Sequence, residues 1–149
     1  VAGAAAAAGP VFAQQAPMDP VPQFALAHGI LRVTRVRTPR NVLAMTFDDG
    51  PHPSNTPRLL DILGQRRLRA TFYVVGAMVA AYPDIARRII AEGHEIGNHT
   101  WRHASLASLG DESVMREIDR TTEVIWRATA TIPHSLRPPY GAISQRQIG

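Results

Sequence analysis

The fold is built around Thr46-Phe47-Asp48-Asp49-Gly50-Pro51, where two neighbouring carboxylates follow an apolar run. Residues 42–47 are apolar and β-branched, which predicts a strand buried on both faces. Gly50 and Pro51 then end the strand in a turn. In a regular strand Asp48 and Asp49 would point to opposite faces, so both reach one site only if the backbone leaves β geometry there. The stretch therefore predicts a strand end that carries a pair of functional acids.

Alternating helices and strands follow this turn. Hydrophobic spacing and turn residues predict them in this order: a helix at 57–67 capped by Asn55, a strand at 70–75, a helix at 83–92, a strand at 95–98, a helix at 111–127 and a strand from 135. Weak alternation indicates an edge strand at 31–37. Such alternation means parallel βαβ units, in either an open doubly wound sheet or a (β/α) barrel.

Polar residues stand at the predicted strand ends. Asp48 with Asp49, His99 and Tyr140 each follow a predicted strand. In both architectures functional residues gather at the carboxyl ends of parallel strands. We therefore expect these positions, far apart in sequence, to form one site.

The histidines of this set have the spacing of metal ligands. His99 and His103 are four residues apart, so on one helical turn they would share a face and bind one ion. A random pair at this spacing is more often two partly exposed side chains. With Asp49 as third ligand the site would hold Zn²⁺ or another catalytic divalent metal and keep positions open. Non-haem iron oxygenases use the same ligand set, so the ligands alone leave the reaction open.

Asp48 has a different expected role from Asp49. A carboxylate beside a metal-activated water can take its proton and act as general base. Arg137 could orient that carboxylate through a bidentate pair. The simpler alternatives are turn-capping for the two acids and a surface ion pair for Arg137.

The composition excludes several classes of protein. The chain of 149 residues is 45% hydrophobic and 19% charged, which is ordinary for one folded domain. Its net charge is +4, but all 16 basic residues are arginines scattered along the chain, so no nucleic-acid partner is predicted. Cysteine is absent, which excludes disulfides and thiolate metal sites.

Four segments together resemble the polysaccharide deacetylases, the NodB homology domain of carbohydrate esterase family four. They are Thr46-Phe47-Asp48-Asp49-Gly50-Pro51, the strand at 70–76, Gly93 to His103 with its His99-Thr100-Trp101-Arg102-His103, and Arg137-Pro138-Pro139-Tyr140-Gly141. The resemblance covers residues 41–141. It implies an α/β fold, the deformed (β/α) barrel of this family, incomplete at the C-terminal end of this chain.

The resemblance also implies an activity and a set of roles. The activity is removal of acetyl groups from N- or O-acetylated polysaccharide with a divalent metal, usually Zn²⁺. Asp48 is the implied general base, Arg137 the residue that orients it, and Asp49, His99 and His103 the metal ligands. Pro139 and Tyr140 are implied groove-wall residues, and the Tyr140 backbone N–H is an implied oxyanion donor. Peptidoglycan, chitin oligomers, poly-N-acetylglucosamine and acetylxylan are all substrates within the family.

The ends of the chain give three further expectations. Residues 1–13 are apolar and Ala-rich and end in Val11-Phe12-Ala13, which predicts a signal-peptide remnant and export to the periplasm, envelope or medium; an Ala-rich disordered end is the alternative. Residues 14–40 predict a proline-containing linker with the edge strand, and 41–149 the N-terminal part of the catalytic domain. No apolar stretch reaches the roughly 18 residues of a stable membrane span.

Two further family motifs, an Asp-bearing one and a Leu-x-His that supplies the general acid, are not present in these residues. We therefore expect a fragment that folds poorly and turns over little by itself. The alternative is a catalytically silent domain that binds glycan or metal without a general acid.

Overall fold

The computed structural model describes Val33, Pro39 and residues 42–148. The predicted signal-peptide remnant lies outside the described residues, and so does the linker with its edge strand, apart from Val33 and Pro39. No helix in the described part of the chain is long and apolar enough to cross a membrane.

Three short parallel strands form the sheet, in the order β1-β2-β3. They are β1 Thr46–Gly50, β2 Thr71–Val74 and β3 Glu95–Asn98. A parallel bridge pairs Asn98 with Leu136, so the strand predicted from residue 135 is present only as this bridge. The parallel order confirms the predicted βαβ units and brings the carboxyl ends of all three strands to one edge.

The described helices are α1 Asn55–Gln65, α2 Gly76–Ala81, α3 Pro83–Ala91, α4 Asp111–Thr129 and α5 Gln145–Ile148, with 3₁₀ turns at Leu106–Ser108 and Pro139–Gly141. The predicted helices correspond to α1, α3 and α4. Helix α2 is not among the predicted elements. In the structure the first N–H groups of α2 donate to the loop after β3: Gly76 to Thr100 and Ala77 to Trp101.

The hydrophobic core lies where the helices cover one face of the sheet. Its fully buried members include Leu60 of α1, Val74 of β2, Ile89 of α3 and Ile125 of α4. In α1, α3 and α4 the buried apolar residues recur at helical spacing and form one face of each helix. Burial of these faces holds the helices against the sheet. The core thereby fixes the strand ends on which the polar residues stand.

The first strand differs from its prediction. It begins at Thr46 rather than at Val42, and Val42 and Leu43 are 65% and 87% exposed. The pairing with β2 starts at Thr46 opposite Thr71, preceded by one hydrogen bond from Thr71 N–H to Met45 O. Apolar content alone therefore overestimated the strand, because residues 42–44 have no neighbour to pair with in the described chain.

Helix α1 also begins differently from its prediction. Asn55 is its first residue rather than its cap, and Ser54 at the cap position makes no side-chain capping bond. His52 Nδ1 instead accepts the N–H groups of Ser54 and Asn55, each at 3.2 Å. His52 thereby satisfies two of the free N–H groups at the helix start.

Candidate active site

The two acids of β1 reach the same side of the sheet through a bulge. The register with β2 shifts between Phe47 and Gly50, so β1 contains one extra residue there. Asp49 adopts φ +70°, in the left-handed region that Asp tolerates better than most residues. This is the departure from β geometry that the sequence analysis required.

The two histidines lie in a loop and not on a helical turn, which corrects the prediction. Residues 99–103 directly follow β3 and have no regular secondary structure. Thr100 and His103 have φ values of +68° and +58°. The spacing of four residues nevertheless brings the rings together, with centroids 4.9 Å apart and planes at 65°.

The three expected ligands form one cluster. Asp49 Oδ1 lies 3.4 Å from His99 Nε2 and 3.1 Å from His103 Nε2. Within the described residues these side chains form a group whose ligand atoms all lie within 4.8 Å of one another. Imidazole nitrogen and carboxylate oxygen are donor atoms that divalent metals bind in proteins, so these three residues could hold such an ion.

A hydrogen bond at the back of the site orients the buried ring of His99. Its Nδ1 lies 2.6 Å from the backbone carbonyl oxygen of Arg137. A carbonyl only accepts, so we assign the proton to Nδ1, which leaves the Nε2 lone pair directed toward Asp49. The donor chemistry of the cluster thus fits a divalent metal.

Asp48 is held separately from the cluster by Arg137. Arg137 Nη1 donates to Asp48 Oδ1 at 2.7 Å and to Thr46 Oγ1 at 2.9 Å. The contact therefore uses one oxygen of the carboxylate and is not the bidentate pair that we expected, because Thr46 shares the same guanidinium nitrogen. The second oxygen, Asp48 Oδ2, makes no bond to Arg137 and remains available.

Two residues that the sequence analysis missed support Arg137. Its guanidinium carbon lies 4.0 Å from the ring centroid of Tyr73, a cation–π contact. Tyr73 fits there because Gly97 on the neighbouring strand has no side chain; a Cβ at Gly97 would lie 2.5 Å from the ring. The glycine inside a short strand was the available signal, since it marks a close approach of another group.

Replacing Gly97 with alanine is expected to destabilise the protein by about 1–3 kcal/mol, the usual range for overpacking. The added methyl would displace the Tyr73 ring and press on Ser135 Oγ at 3.0 Å. Urea unfolding of the intact protein measures the change. Gly64→Ala is the matched control, because Gly64 is exposed on α1 and nothing lies within 4 Å of a Cβ there. It should stabilise by about 0.5–1 kcal/mol, and equal effects of the two changes would contradict the packing explanation.

Pro139 and Tyr140 have different surroundings. Pro139 is less than 2% exposed, so its side chain cannot form a groove wall in this structure, which corrects that expectation. Tyr140 is 77% exposed, and its ring packs edge-on against His103 at 4.8 Å between centroids. Its φ of +60° lies in a turn closed by the N–H groups of Gly141 and Ala142, so the turn does not use the Tyr140 N–H.

Trp101 packs against helices α2 and α4. The guanidinium carbon of Arg120 lies 3.7 Å from the centroid of its ring. Gly76 of α2 approaches so closely that a Cβ there would lie 2.5 Å from Trp101 Cε3. Both contacts fix the position of the Trp101 ring between α2 and α4.

The site therefore assembles residues from all the segments that the sequence singled out. A carboxylate and two imidazoles form one cluster, and a second carboxylate is held by arginine beside it. Both stand at the carboxyl ends of parallel strands in an α/β fold. Fold and site together define an α/β protein with a candidate metal centre and a neighbouring acid.

The chain belongs to the polysaccharide deacetylase family, whose model, described as polysaccharide deacetylase, matches residues 35–148. It is 42% identical over 106 residues to a peptidoglycan-N-acetylglucosamine deacetylase of Bacillus cereus, covering 71% of this chain and 38% of that protein. It is 39% identical over 126 residues to a chitooligosaccharide deacetylase of Bradyrhizobium, covering 84% of this chain and 56% of the relative.

A solved structure shows the same similarity in three dimensions. It is a family 4 acetyl xylan esterase from Clostridium thermocellum in complex with a cobalt ion, with a TM-score of 0.67 and 39% identity over 70% of this chain and 51% of that one. The expected fold class, the deformed (β/α) barrel type, is confirmed, and the described residues form part of it. The chain spans between about a third and just over half of the length of these relatives.

Proposed function

We propose that the protein is a metal-dependent hydrolase that removes acetyl groups from an N-acetylated polysaccharide. The observation that carries the proposal is the position of Asp48, which Arg137 holds at 2.7 Å beside the cluster of Asp49, His99 and His103. A domain that only bound glycan or metal would not need this second carboxylate. The contact therefore argues for turnover over the silent binding alternative.

The chain's own residues divide the chemistry between them. Asp49, His99 and His103 would hold the metal, for which the ligand chemistry favours Zn²⁺. A divalent metal held there would supply Lewis-acid chemistry, polarising the acetyl carbonyl and lowering the pKa of a water molecule. Asp48 accepts the proton of that water at Oδ2, because Oδ1 is occupied by Arg137. The Tyr140 N–H donates to the developing oxyanion.

The relatives support N-acetylglucosamine glycans as substrates. One acts by name on peptidoglycan N-acetylglucosamine and another on chitooligosaccharide. These polymers share the N-acetyl group of glucosamine, and the peptidoglycan relative supports a location in the cell envelope or outside the cell. The exposed Tyr140 ring beside His103 would line the sugar groove.

Acetate release by the intact protein tests the proposal. The protein is stripped with a chelator, reloaded with Zn²⁺ and incubated with peptidoglycan, chitin oligosaccharides and acetylxylan in parallel. We expect acetate from an N-acetylated glycan only after reloading. Full activity of the stripped protein would overturn the metal dependence, and no acetate from any glycan after reloading would overturn the activity itself.

A further inference from the structure

The loop that carries the two histidines, residues 99–103 and here called the ligand loop, needs support from outside itself. It has no regular secondary structure, and Thr100 and His103 adopt positive φ. A residue other than glycine in the left-handed region costs about 1–2 kcal/mol. Neighbouring elements must therefore hold the loop in this conformation.

Glu117 of α4 makes the main contact to the middle of the ligand loop. Its Oε2 accepts the backbone N–H groups of both Trp101 and Arg102, each at 2.9 Å. Its Oε1 accepts Arg102 Nε at 3.0 Å. Glu117 is only 5% exposed, so these bonds form away from bulk solvent.

Other groups bind further polar backbone atoms of the ligand loop, and none of these bonds uses the N–H of Trp101 or Arg102. Asn98 Oδ1 accepts the N–H of Thr100 at 2.8 Å, and its Nδ2 donates to the Ile118 carbonyl oxygen at 2.9 Å. The carbonyl oxygens of Thr100 and Trp101 accept N–H groups of α2. In the described part of the chain, the N–H groups of Trp101 and Arg102 are thus bound by a side chain of α4, that of Glu117.

The charge pair with Arg102 does not explain why a glutamate is buried here. The Arg102 side chain is 73% exposed, and exposed ion pairs contribute about 0–1 kcal/mol. Burying a carboxylate is unfavourable unless hydrogen bonds compensate it, and the two loop N–H groups supply that compensation. The buried carboxylate of Glu117 is therefore explained by its hydrogen bonds to the backbone of the ligand loop.

We propose that Glu117 is a positioning residue of the metal centre. By binding two consecutive N–H groups midway between His99 and His103, it sets the separation of the two rings and directs both Nε2 atoms at Asp49 Oδ1. The inference rests on the proposed metal site but adds a residue that touches neither metal nor substrate. It predicts that metal affinity depends on the hydrogen-bond acceptor at position 117 rather than on its charge.

Metal titration of three variants of the intact protein tests this. Glu117→Met keeps the length of the side chain and removes the carboxylate acceptors, and should weaken Zn²⁺ affinity by about 10–100-fold, as loss of an outer-shell partner does. Glu117→Gln keeps one carbonyl oxygen for both N–H groups and should restore affinity to within about threefold of the wild type. Glu123→Met on the same helix is the matched control, because among the described residues Glu123 pairs with Arg127, four residues away on the surface.

A spectroscopic measurement separates positioning from simple destabilisation. The visible absorption of bound Co²⁺ should change in Glu117→Met and stay the same in Glu117→Gln and Glu123→Met, at a temperature where all are folded. A Glu117→Met protein with wild-type affinity and spectrum would overturn the inference. So would equal losses in Glu117→Gln and Glu117→Met, since these would assign the effect to charge.

A measurement on the wild type keeps the inference testable even if a variant fails to fold. The amide hydrogens of Trp101 and Arg102 should exchange slowly with solvent, and exchange as fast as in an open loop would overturn the inference. If the wild type binds no metal and releases no acetate, the proposed function fails. If it does both and the Glu117 variants keep their affinity, only the positioning role fails.

Discussion

Asp48→Asn is expected to lower kcat for acetate release by about 10²–10⁴-fold, the usual contribution of a general base, while the metal stays bound. The asparagine can still accept from Arg137 through its amide oxygen, so the local structure should persist. Its other atom is an NH₂ group, which cannot take a proton from water. Acetate assays with metal analysis of the same samples measure both effects.

Asp119→Asn is the control for this change. Asp119 is an exposed carboxylate of α4 outside the site, so its variant should keep both activity and metal. An Asp48→Asn protein that retains wild-type turnover would show that Asp48 is not the base. A variant that loses its metal would instead place Asp48 among the ligands.

His103→Ala is expected to remove the metal and all acetate release with it. The imidazole supplies one of three ligand atoms, so its loss should weaken binding by more than the roughly 10–100-fold caused by losing an outer-shell partner. Its Nε2 lies 3.1 Å from Asp49 Oδ1, at the centre of the cluster. Equilibrium titration with Zn²⁺ gives the affinity, and the acetate assay gives the turnover.

His134→Ala is the control for the loss of an imidazole. His134 is exposed and is not part of the cluster of Asp49, His99 and His103. Its variant should bind one metal with wild-type affinity. Stoichiometric metal at wild-type affinity in His103→Ala would show that the ion binds elsewhere. The two predictions differ in kind, since one change affects a chemical step and the other the binding on which that step depends.

The sequence was sufficient to predict which polar residues lie together at the carboxyl edge of the sheet. Asp48, Asp49, His99 and Tyr140 were singled out because polar residues at the ends of alternating strands must converge when the strands are parallel. The helices α1, α3 and α4 followed from apolar spacing, and the family from its ordered motifs. These features depend on residue types and short spacings, which the chain itself carries.

Some local predictions failed because they depend on pairing partners. The start of β1 is set by where β2 can pair with it, and not by the apolar content of residues 42–45. The ligand loop is not a helical turn, although a spacing of four residues fits one, because contacts with α2 and α4 hold its backbone. Pro139 is buried by tertiary packing that no local pattern reveals.

By itself, the sequence determined the fold class, the family and the identity of the clustered side chains, because these depend on composition, periodicity and motif order. Only the tertiary structure decided how the cluster is held. A bulge at Asp49, a glycine that admits Tyr73 beside Arg137, and a buried Glu117 on α4 each act across elements distant in sequence. Their effect depends on distances of a few ångströms between elements, which are set only when the helices pack on the sheet.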